Sequence, residues 1–372
     1  MVGSPVHVGV NLLWCRPGQV GGSEEYLVRQ LLGLAEVESV VVPRLYVLPG
    51  FVEAHPDLAT IFEMVVAPIK GDNRVRRVIA EHGWLARRTR TSKLVHHGGG
   101  TMPARGTLPA VLTIHDLQYR EYPQYFSAAK RAYLNASLPR SARRATVIAV
   151  PSEFVRSTVI DAYGADADRV VVVPHGIEAA LGATATAEGE LRVRYSLGDG
   201  PVIVFPAITH PHKGHLFLLD VMARHWTDPA LRLVLIGGAG QSDQAVLAAI
   251  SELGLGERVV RTGRVPAHDR DGLIAMASAM VFPSEYEGFG APVIEAMTLG
   301  APVICSDRAS LPEVAGDAAI VLPLSGDAWA DALTQVATRR DELVVAGHRR
   351  AAEFTAARSG EALLVAYSRA LE

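Results

Sequence analysis

Cysteine is nearly absent from this chain: Cys15 and Cys305 lie far apart and match no metal or redox spacing. That excludes a disulfide scaffold and fits a reducing cytoplasm. No run of about 18 apolar residues occurs, so no segment reads as a transmembrane helix. The start of the chain enters a strand-like run, Val6–Leu13, without a basic region and a long apolar stretch, and no signal peptide is expected. A large basic excess is also missing. The net charge of -3 is far from that of a nucleic-acid binder. Repeats and low-complexity tracts are absent, and 49% hydrophobic with 20% charged residues excludes a disordered chain.

What is present is an ordinary globular composition over 372 residues, enough for two domains with a core each. Short, continuously apolar runs alternate with helical stretches. Strands are expected at Val6–Leu13, Val40–Val47, Ala110–Ile114, Thr146–Val150, Val170–Val173, Val202–Phe205, Leu231–Ile236, Arg258–Thr262, Ala279–Phe282 and Pro302–Cys305. Helices are expected at Ser23–Ala35, Lys130–Arg144, Glu153–Tyr163, His215–His225, Asp243–Leu253 and Pro292–Leu299. Such alternation means βαβ units and α/β, doubly wound parallel sheets with both faces covered. Residues 1–176 form one expected Rossmann-like domain and 191–350 a second. The small-residue stretch 177–190 is the linker region, and a helix within 351–372 packs back across the N-terminal domain.

Charge is uneven. Residues 1–176 carry 20 Lys and Arg against 15 Asp and Glu, the remainder 16 against 24. Arg74, Arg76, Arg77, Arg87, Arg88, Arg90 and Lys93 supply much of the excess. With Val75, Val78, Ile79, Leu85 and Ala86 they predict one amphipathic helix with a basic face. That face is either solvated or drawn to anionic lipid or an anionic acceptor, which would bring a cytoplasmic protein to the inner face of the membrane.

In an open parallel sheet, ligands bind beyond the carboxyl ends of the strands, and the loops there are the distinctive ones. Pro283-Ser-Glu-Tyr-Glu-Gly-Phe-Gly-Ala-Pro-Val-Ile-Glu295 follows a strand. Gly288 and Gly290 permit close backbone approach, and Pro292 opens a helix whose N-terminus suits a diphosphate. Glu287 and Glu295 can accept hydrogen bonds from hydroxyls at the two ends of a sugar nucleotide. Phe205-Pro-Ala-Ile-Thr-His-Pro-His-Lys-Gly-His215 follows another strand and offers Lys213 to phosphates. His210, His212 and His215 have no Asp, Glu or Cys among them and fit a phosphate site better than a metal. In the first half, Gln19-Val-Gly-Gly-Ser-Glu-Glu-Tyr26 places Gly21 and Gly22 before a helix, with Ser23 as the expected N-cap and Glu25 or Tyr26 in its first turn. His115 and Asp116 end another strand, and His115 is either a satisfied core histidine or a residue facing the sugar.

These segments resemble the family-4 group of retaining glycosyltransferases with the GT-B architecture: two Rossmann-like domains facing a cleft. The resemblance extends over the Gly-Gly loop, the His-Asp-Leu strand end, Val150-Pro-Ser-Glu-Phe154, Val173-Pro-His-Gly-Ile177, the lysine loop, the Glu-x7-Glu segment and Leu311-Pro-Glu-Val-Ala-Gly316. It implies a nucleotide-diphosphate sugar as donor, transferred with retention and without a metal or other cofactor. Lys213 and His212 would serve the diphosphate, Glu287 the donor sugar, Glu295 the ribose and His115 the transferred sugar. Gly288, Phe289, Gly290 and Ala291 would contribute amides. Gly263, Arg264 and Val265 would frame the base. The wording of the lysine loop tilts the sugar toward mannose, and the acceptor would be a glycan or lipid-linked, held by the N-terminal domain. Donor binding is expected to close the two domains. Many members carry an arginine five residues before the lysine; here Ile208 stands there.

Rival readings are weaker. Leu235-Ile-Gly-Gly-Ala-Gly240 lacks the full dinucleotide pattern and an acidic residue after the next strand, against an oxidoreductase. Asp166-Ala-Asp168 precedes a strand, unlike a metal-binding pair. A sugar-nucleotide epimerase, a phosphorylase and a non-catalytic sugar-nucleotide binding protein stay as alternatives.

Overall fold

The computed structural model describes residues 4–372, so the first three residues of the expected N-terminal domain lie outside the described residues. The chain divides into two units. One holds the chain up to Gly176 together with Thr355–Glu372; the other holds Ile177–Phe354.

The first unit contains strands β1 (Val6–Asn11), β2 (Val41–Val47), β3 (Glu63–Val66), β4 (Leu94–His97), β5 (Ala110–Thr113), β6 (Val147–Val150) and β7 (Val170–Val172). They form a parallel sheet in the order β3-β2-β1-β4-β5-β6-β7. The second contains β8 (Val202–Pro206), β9 (Arg232–Ile236), β10 (Val259–Gly263), β11 (Ala279–Phe282), β12 (Val303–Ser306) and β13 (Ile320–Leu322), all parallel, in the order β10-β9-β8-β11-β12-β13. Each order reverses once, between β1 and β4 and between β8 and β11. Crevices at such reversals receive ligands, because the connecting helices leave in opposite directions there.

All ten expected strands are present, and three more were not foreseen. β3 is a half-exposed edge strand and β13 has only three residues. β4 lies at the reversal and is fully buried, yet its sequence ends in two histidines. Burial is tolerated because His96 is hydrogen-bonded at both ring nitrogens, to Thr113 Oγ1 (2.7 Å) and Tyr367 Oη (2.9 Å). Its ring stays neutral, since burial and the neighbouring His97 and His115 lower its pKa to about 3.

Other expectations need correction. The basic stretch is not one helix with one basic face. A helix at Arg74–Ala80 passes into a wider π turn at Glu81–Leu85, then Ala86–Arg88 and a 3-10 turn at Thr89–Thr91. Arg77 turns inward and donates to the Trp14 carbonyl (3.0 Å), while Arg74 lies 4.1 Å over the Tyr133 ring. Ser23 is not the N-cap of the first helix; the helix is Gly22–Glu36 and Gly21 caps it without a side chain. The stretch 177–190, expected as the linker region, lies in the second unit, where Ile177 is buried in the core, Thr186 donates to Asp269 Oδ1 (2.6 Å) and a helix starts at Glu188. Helical structure near the end of the chain is interrupted: one helix ends at Ala351 in the second unit, and the final helix is Ala356–Leu371, N-capped by Thr355.

That final helix packs within the first unit against Gly22–Glu36. Gly33 and Gly360 are in such close contact that a Cβ at Gly33 would lie 1.8 Å from the Ala356 carbonyl oxygen. Among the described residues no helix is long and apolar enough to cross a membrane.

Candidate functional site

In the second unit, the loops leaving β8 and β11 flank the reversal of strand order. The β8 loop turns through a 3-10 segment, Pro211–Lys213, and Gly214 then adopts φ +78° to begin the helix His215–Arg224. A Cβ at Gly214 would stand 2.2 Å from the Pro283 carbonyl oxygen, so the glycine lets the two loops touch. The Glu285 amide also donates to the His212 carbonyl (2.7 Å). This contact aims Lys213 at Glu287: Nζ lies 2.6 Å from Oε1, with both side chains largely buried.

The β11 loop is fixed from behind. Ser310 Oγ donates to the carbonyls of Glu287 (3.0 Å) and Phe289 (2.8 Å), and Ser306 Oγ donates to the Ser284 carbonyl. Gly290, at φ +98°, caps the helix Ala291–Thr298, with Pro292 in its first turn. Glu295, on that helix, is 5% exposed. Sequence reasoning missed Ser306 and Ser310; their only signal is a position at and just after the end of β12.

Burial disfavours the charged form of His212 and His215 beside Lys213. Burial, then the charges of Lys213, His210 and His215, lower His212 to about 3. Its ring stacks on His210 at 5.9 Å. His215 is buried against Phe205 (4.4 Å), the place of a core histidine rather than a ligand, and burial lowers it to about 4. Among the described residues no group of three His, Cys, Asp or Glu is placed to hold a metal ion. Thr209 stands where the loops after β8 and β9 meet, accepting from the Gly240 amide (2.7 Å) and donating to Asp243 (3.1 Å). Asp243 in turn pairs with Arg261.

Gly263 ends β10 and Arg264 and Val265 follow it, separated from the lysine loop by β9. Gly263 takes φ +67° with open space around it, and Arg264 lies along Gly238. The sites predicted from sequence therefore divide. His212, Lys213, Glu287 through Ala291 and Glu295 come together at the β8/β11 reversal. Gly263 through Val265 lie further along the same edge. Gly21, Gly22 and His115 belong to the first unit.

There, His115 follows β5. Its Nε2 donates to the Gly98 carbonyl (2.8 Å), which fixes the tautomer and leaves Nδ1 as an acceptor. The ring lies between Trp14 (5.7 Å) and Tyr26 (5.5 Å), and burial lowers its pKa to about 4, keeping it neutral. Gly21 has φ +64°, and neither it nor Gly22 has any atom within 4 Å of a Cβ position, so this loop offers open backbone. Beneath the end of β1, Asn11 links Glu81 (3.3 Å) to His97 (3.2 Å), a buried polar group the sequence did not announce.

Comparisons with known proteins agree with this architecture. Residues 20–181 match the family model described as Glycosyltransferase Family 4, and residues 189–351 match that of Glycosyl transferases group 1. The O-antigen chain mannosyltransferase B of Escherichia coli is 33% identical over 208 residues, 55% of this chain and 54% of that protein. A GDP-mannose-dependent alpha-(1-6)-phosphatidylinositol monomannoside mannosyltransferase of Mycolicibacterium smegmatis is 27% identical over 259 residues, 64% of this chain and 59% of that one. The chain thus spans about half the length of the curated relatives it matches. The crystal structure of Anabaena HepE in complex with UDP and glucose superposes with a TM-score of 0.74 at 17% identity, covering 98% of this chain and 99% of the other, which shows the shared two-domain fold. With one family model over each half and a GT-B fold throughout, the chain belongs to the family-4, group-1 glycosyltransferases.

Proposed function

We propose that the chain is a retaining glycosyltransferase that moves a hexose, mannose by preference, from a nucleotide-diphosphate sugar to a glycan or lipid-linked acceptor without a metal. The observation that carries this reading is the Lys213–Glu287 contact of 2.6 Å at the β8/β11 reversal, beside a helix N-terminus. Breaking the anomeric bond builds negative charge on the leaving diphosphate. A cation and the positive end of a helix dipole, already in place, stabilise that charge without reorganising. Glu287, oriented by Lys213, accepts from donor-sugar hydroxyls, and Glu295 accepts from the ribose. Gly263, Arg264 and Val265 frame the base, and His115 Nδ1 accepts from a hydroxyl of the transferred sugar.

Retention follows from attack on the face the diphosphate leaves, with a leaving phosphate oxygen taking the acceptor proton. Both motif glutamates are occupied with hydroxyls in this scheme, so neither is the covalent nucleophile of a double displacement. The preference for mannose is supported by the likeness to the two mannosyltransferases above.

The test is a thermal-shift screen against UDP, GDP, ADP, dTDP and their sugar conjugates with EDTA present. A ligand bound only by the folded state adds about 2.7 kcal/mol at a hundredfold excess over its Kd. A shift confined to one nucleoside diphosphate names the base, and release of free hexose or transfer from its conjugate separates an enzyme from a binding protein. Silence with every nucleotide refutes the donor site.

A further inference from the structure

Asn11, the last residue of β1, is bonded at both ends of its side-chain amide and at its carbonyl. Its Oδ1 accepts from the Leu13 amide (3.1 Å), which fixes the orientation of the group and leaves Nδ2 to donate to Glu81 Oε1 (3.3 Å) and His97 Nδ1 (3.2 Å). The Asn11 carbonyl accepts from the Gly98 amide (3.4 Å). One residue thereby ties the ends of β1 and β4, the two strands at the reversal of the first sheet, to the π turn Glu81–Leu85. All three side chains are buried.

Two supports of His115 hang from this point. The carbonyl that accepts from His115 Nε2 belongs to Gly98, whose amide Asn11 holds. The turn that Asn11 Oδ1 fixes at Leu13 delivers Trp14, whose ring lies 5.7 Å from that of His115. The same indole covers the end of β4: a Cβ would stand 2.5 Å from Trp14 Cγ at Gly99 and 3.2 Å from its Nε1 at Gly98. One helical face clamps the segment at two places, because Arg77 donates to the Trp14 carbonyl (3.0 Å) and Glu81, one turn later, takes Asn11.

Stability alone does not account for the trio. A buried carboxylate costs free energy, and apolar residues of similar volume fill such a place at lower cost. His97 is neutral, lowered to about 3 by burial and then by the charge of Arg144. With Nδ1 accepting from Asn11, its proton sits on the buried Nε2, for which no described residue supplies an acceptor.

We propose that Asn11, locked by Glu81 and His97, is a positioning residue for His115, which it holds as a single tautomer with Nδ1 bare. The part this plays in transfer rests on the glycosyltransferase reading; the control of His115 does not. None of the three touches the reacting atoms. Their effect passes through one carbonyl and one indole. Once Asn11 is released, the Gly98 peptide is free to turn and His115 Nε2–H loses its acceptor. The proton then moves to Nδ1 in a share of the molecules, and that nitrogen no longer accepts from a hydroxyl.

The experiment labels the full chain with ¹⁵N-histidine, so that NMR reads the tautomer of each imidazole, and His115→Gln identifies the His115 signals by their loss. The native protein is expected to show His115 as the Nε2–H form alone. Asn11→Asp keeps the size of the residue and the acceptor for Leu13, but turns a carboxylate toward Glu81 Oε1 and the bare His97 Nδ1. It is expected to give His115 as a mixture of tautomers and to lower kcat at least tenfold. Affinity for the nucleoside diphosphate, assigned to the second unit, is expected to stay as it was. Glu81→Leu, which removes the acceptor for Asn11, is expected to act like Asn11→Asp, and Glu81→Gln, which keeps it, to recover most of the native signal and rate. His96, held by Thr113 and Tyr367, is the internal control. His115 signals unchanged in both Asn11→Asp and Glu81→Leu overturn the proposal. So does a change in His96 as large as that in His115, which means loss of the strand itself. If the nucleotide screen finds no donor, the tautomer measurement still decides the positioning of His115, and only the transfer reading falls.

Discussion

Lys213 Nζ and Glu287 Oε1 stand 2.6 Å apart although 74 residues separate them in sequence, because β8 and β11 are neighbours in the sheet. The pair brings a phosphate-seeking cation and a hydroxyl-seeking carboxylate to one point. Lys213→Ala removes the first and leaves the second buried without its ion-pair partner. Loss of one preorganised group that stabilises developing charge costs roughly 10²–10³ in rate. A fall of that size in kcat/KM is expected for Lys213→Ala and Glu287→Gln alike, with folding intact by circular dichroism. A loss under fivefold in both would place the chemistry elsewhere.

Glu295 lies on the helix Ala291–Thr298, eight residues beyond Glu287. Its assignment to the ribose predicts a different signature: Glu295→Ala abolishes the thermal shift given by the nucleoside diphosphate alone. Glu287→Gln, acting on the sugar, leaves most of that shift in place. Calorimetric titration of the diphosphate into each variant reads the difference.

Gly214 joins the two loops by its lack of a side chain. Gly214→Ala adds a Cβ 2.2 Å from the Pro283 carbonyl oxygen at a φ of +78°. Left-handed strain of this kind costs on the order of 1–3 kcal/mol, and parting the loops separates Lys213 from Glu287. Urea titration is expected to show that loss of stability together with a loss of activity larger than the stability change alone explains.

The final helix belongs to the core of the first unit. Tyr367 is fully buried and hydrogen-bonded to His96, and Ser359 Oγ donates to the Pro174 carbonyl (2.6 Å). Tyr367→Phe leaves His96 Nδ1 without this partner and is expected to cost about 1–3 kcal/mol. Removal of residues 356–372 is expected to give insoluble or proteolytically fragile protein, because it bares the Gly33 face of the helix Gly22–Glu36. A soluble, protease-resistant truncation would contradict the assignment.

Acid sensitivity has a defined sign. His96, His97 and His212 are lowered to about 3, and His115 and His215 to about 4, by burial first in every case. The unfolded chain binds protons at these residues near pH 6.5 while the folded chain does not. Their contribution to stability is therefore complete above pH 6.5 and declines as the pH falls toward 4. Glu81 acts the other way: raised to about 7, it favours the folded state below the unfolded carboxylate pKa, and that contribution is lost as the pH rises through 7. Melting temperatures across pH 4–8 are expected to drop on the acid side. Glu81→Gln removes that opposing contribution, so the fall in stability from pH 6.5 toward pH 5 is expected to steepen, and the loss on raising the pH from 6.5 to 7.5 is expected to disappear.

The sequence alone determined the class of fold and marked the two loops that meet at the β8/β11 reversal. Continuous apolar runs specify strands buried on both faces, and two of them, β8 and β11, end in loops that carry Lys213 and Gly214 or Glu287, Gly288 and Gly290. Local pattern carries that information because burial and backbone conformation act within a few residues. It did not reveal β4, whose His96 and His97 look polar until Thr113, Tyr367 and Asn11 are found around them. Nor did it show that Arg77 turns inward to the Trp14 carbonyl, that Ser306 and Ser310 hold the glutamate loop, or that Gly33 meets Gly360. Those relations join residues distant in the chain. They exist only after strand order has been set, since hydrogen bonds and charge coupling depend on distance in space, which a one-dimensional pattern does not carry.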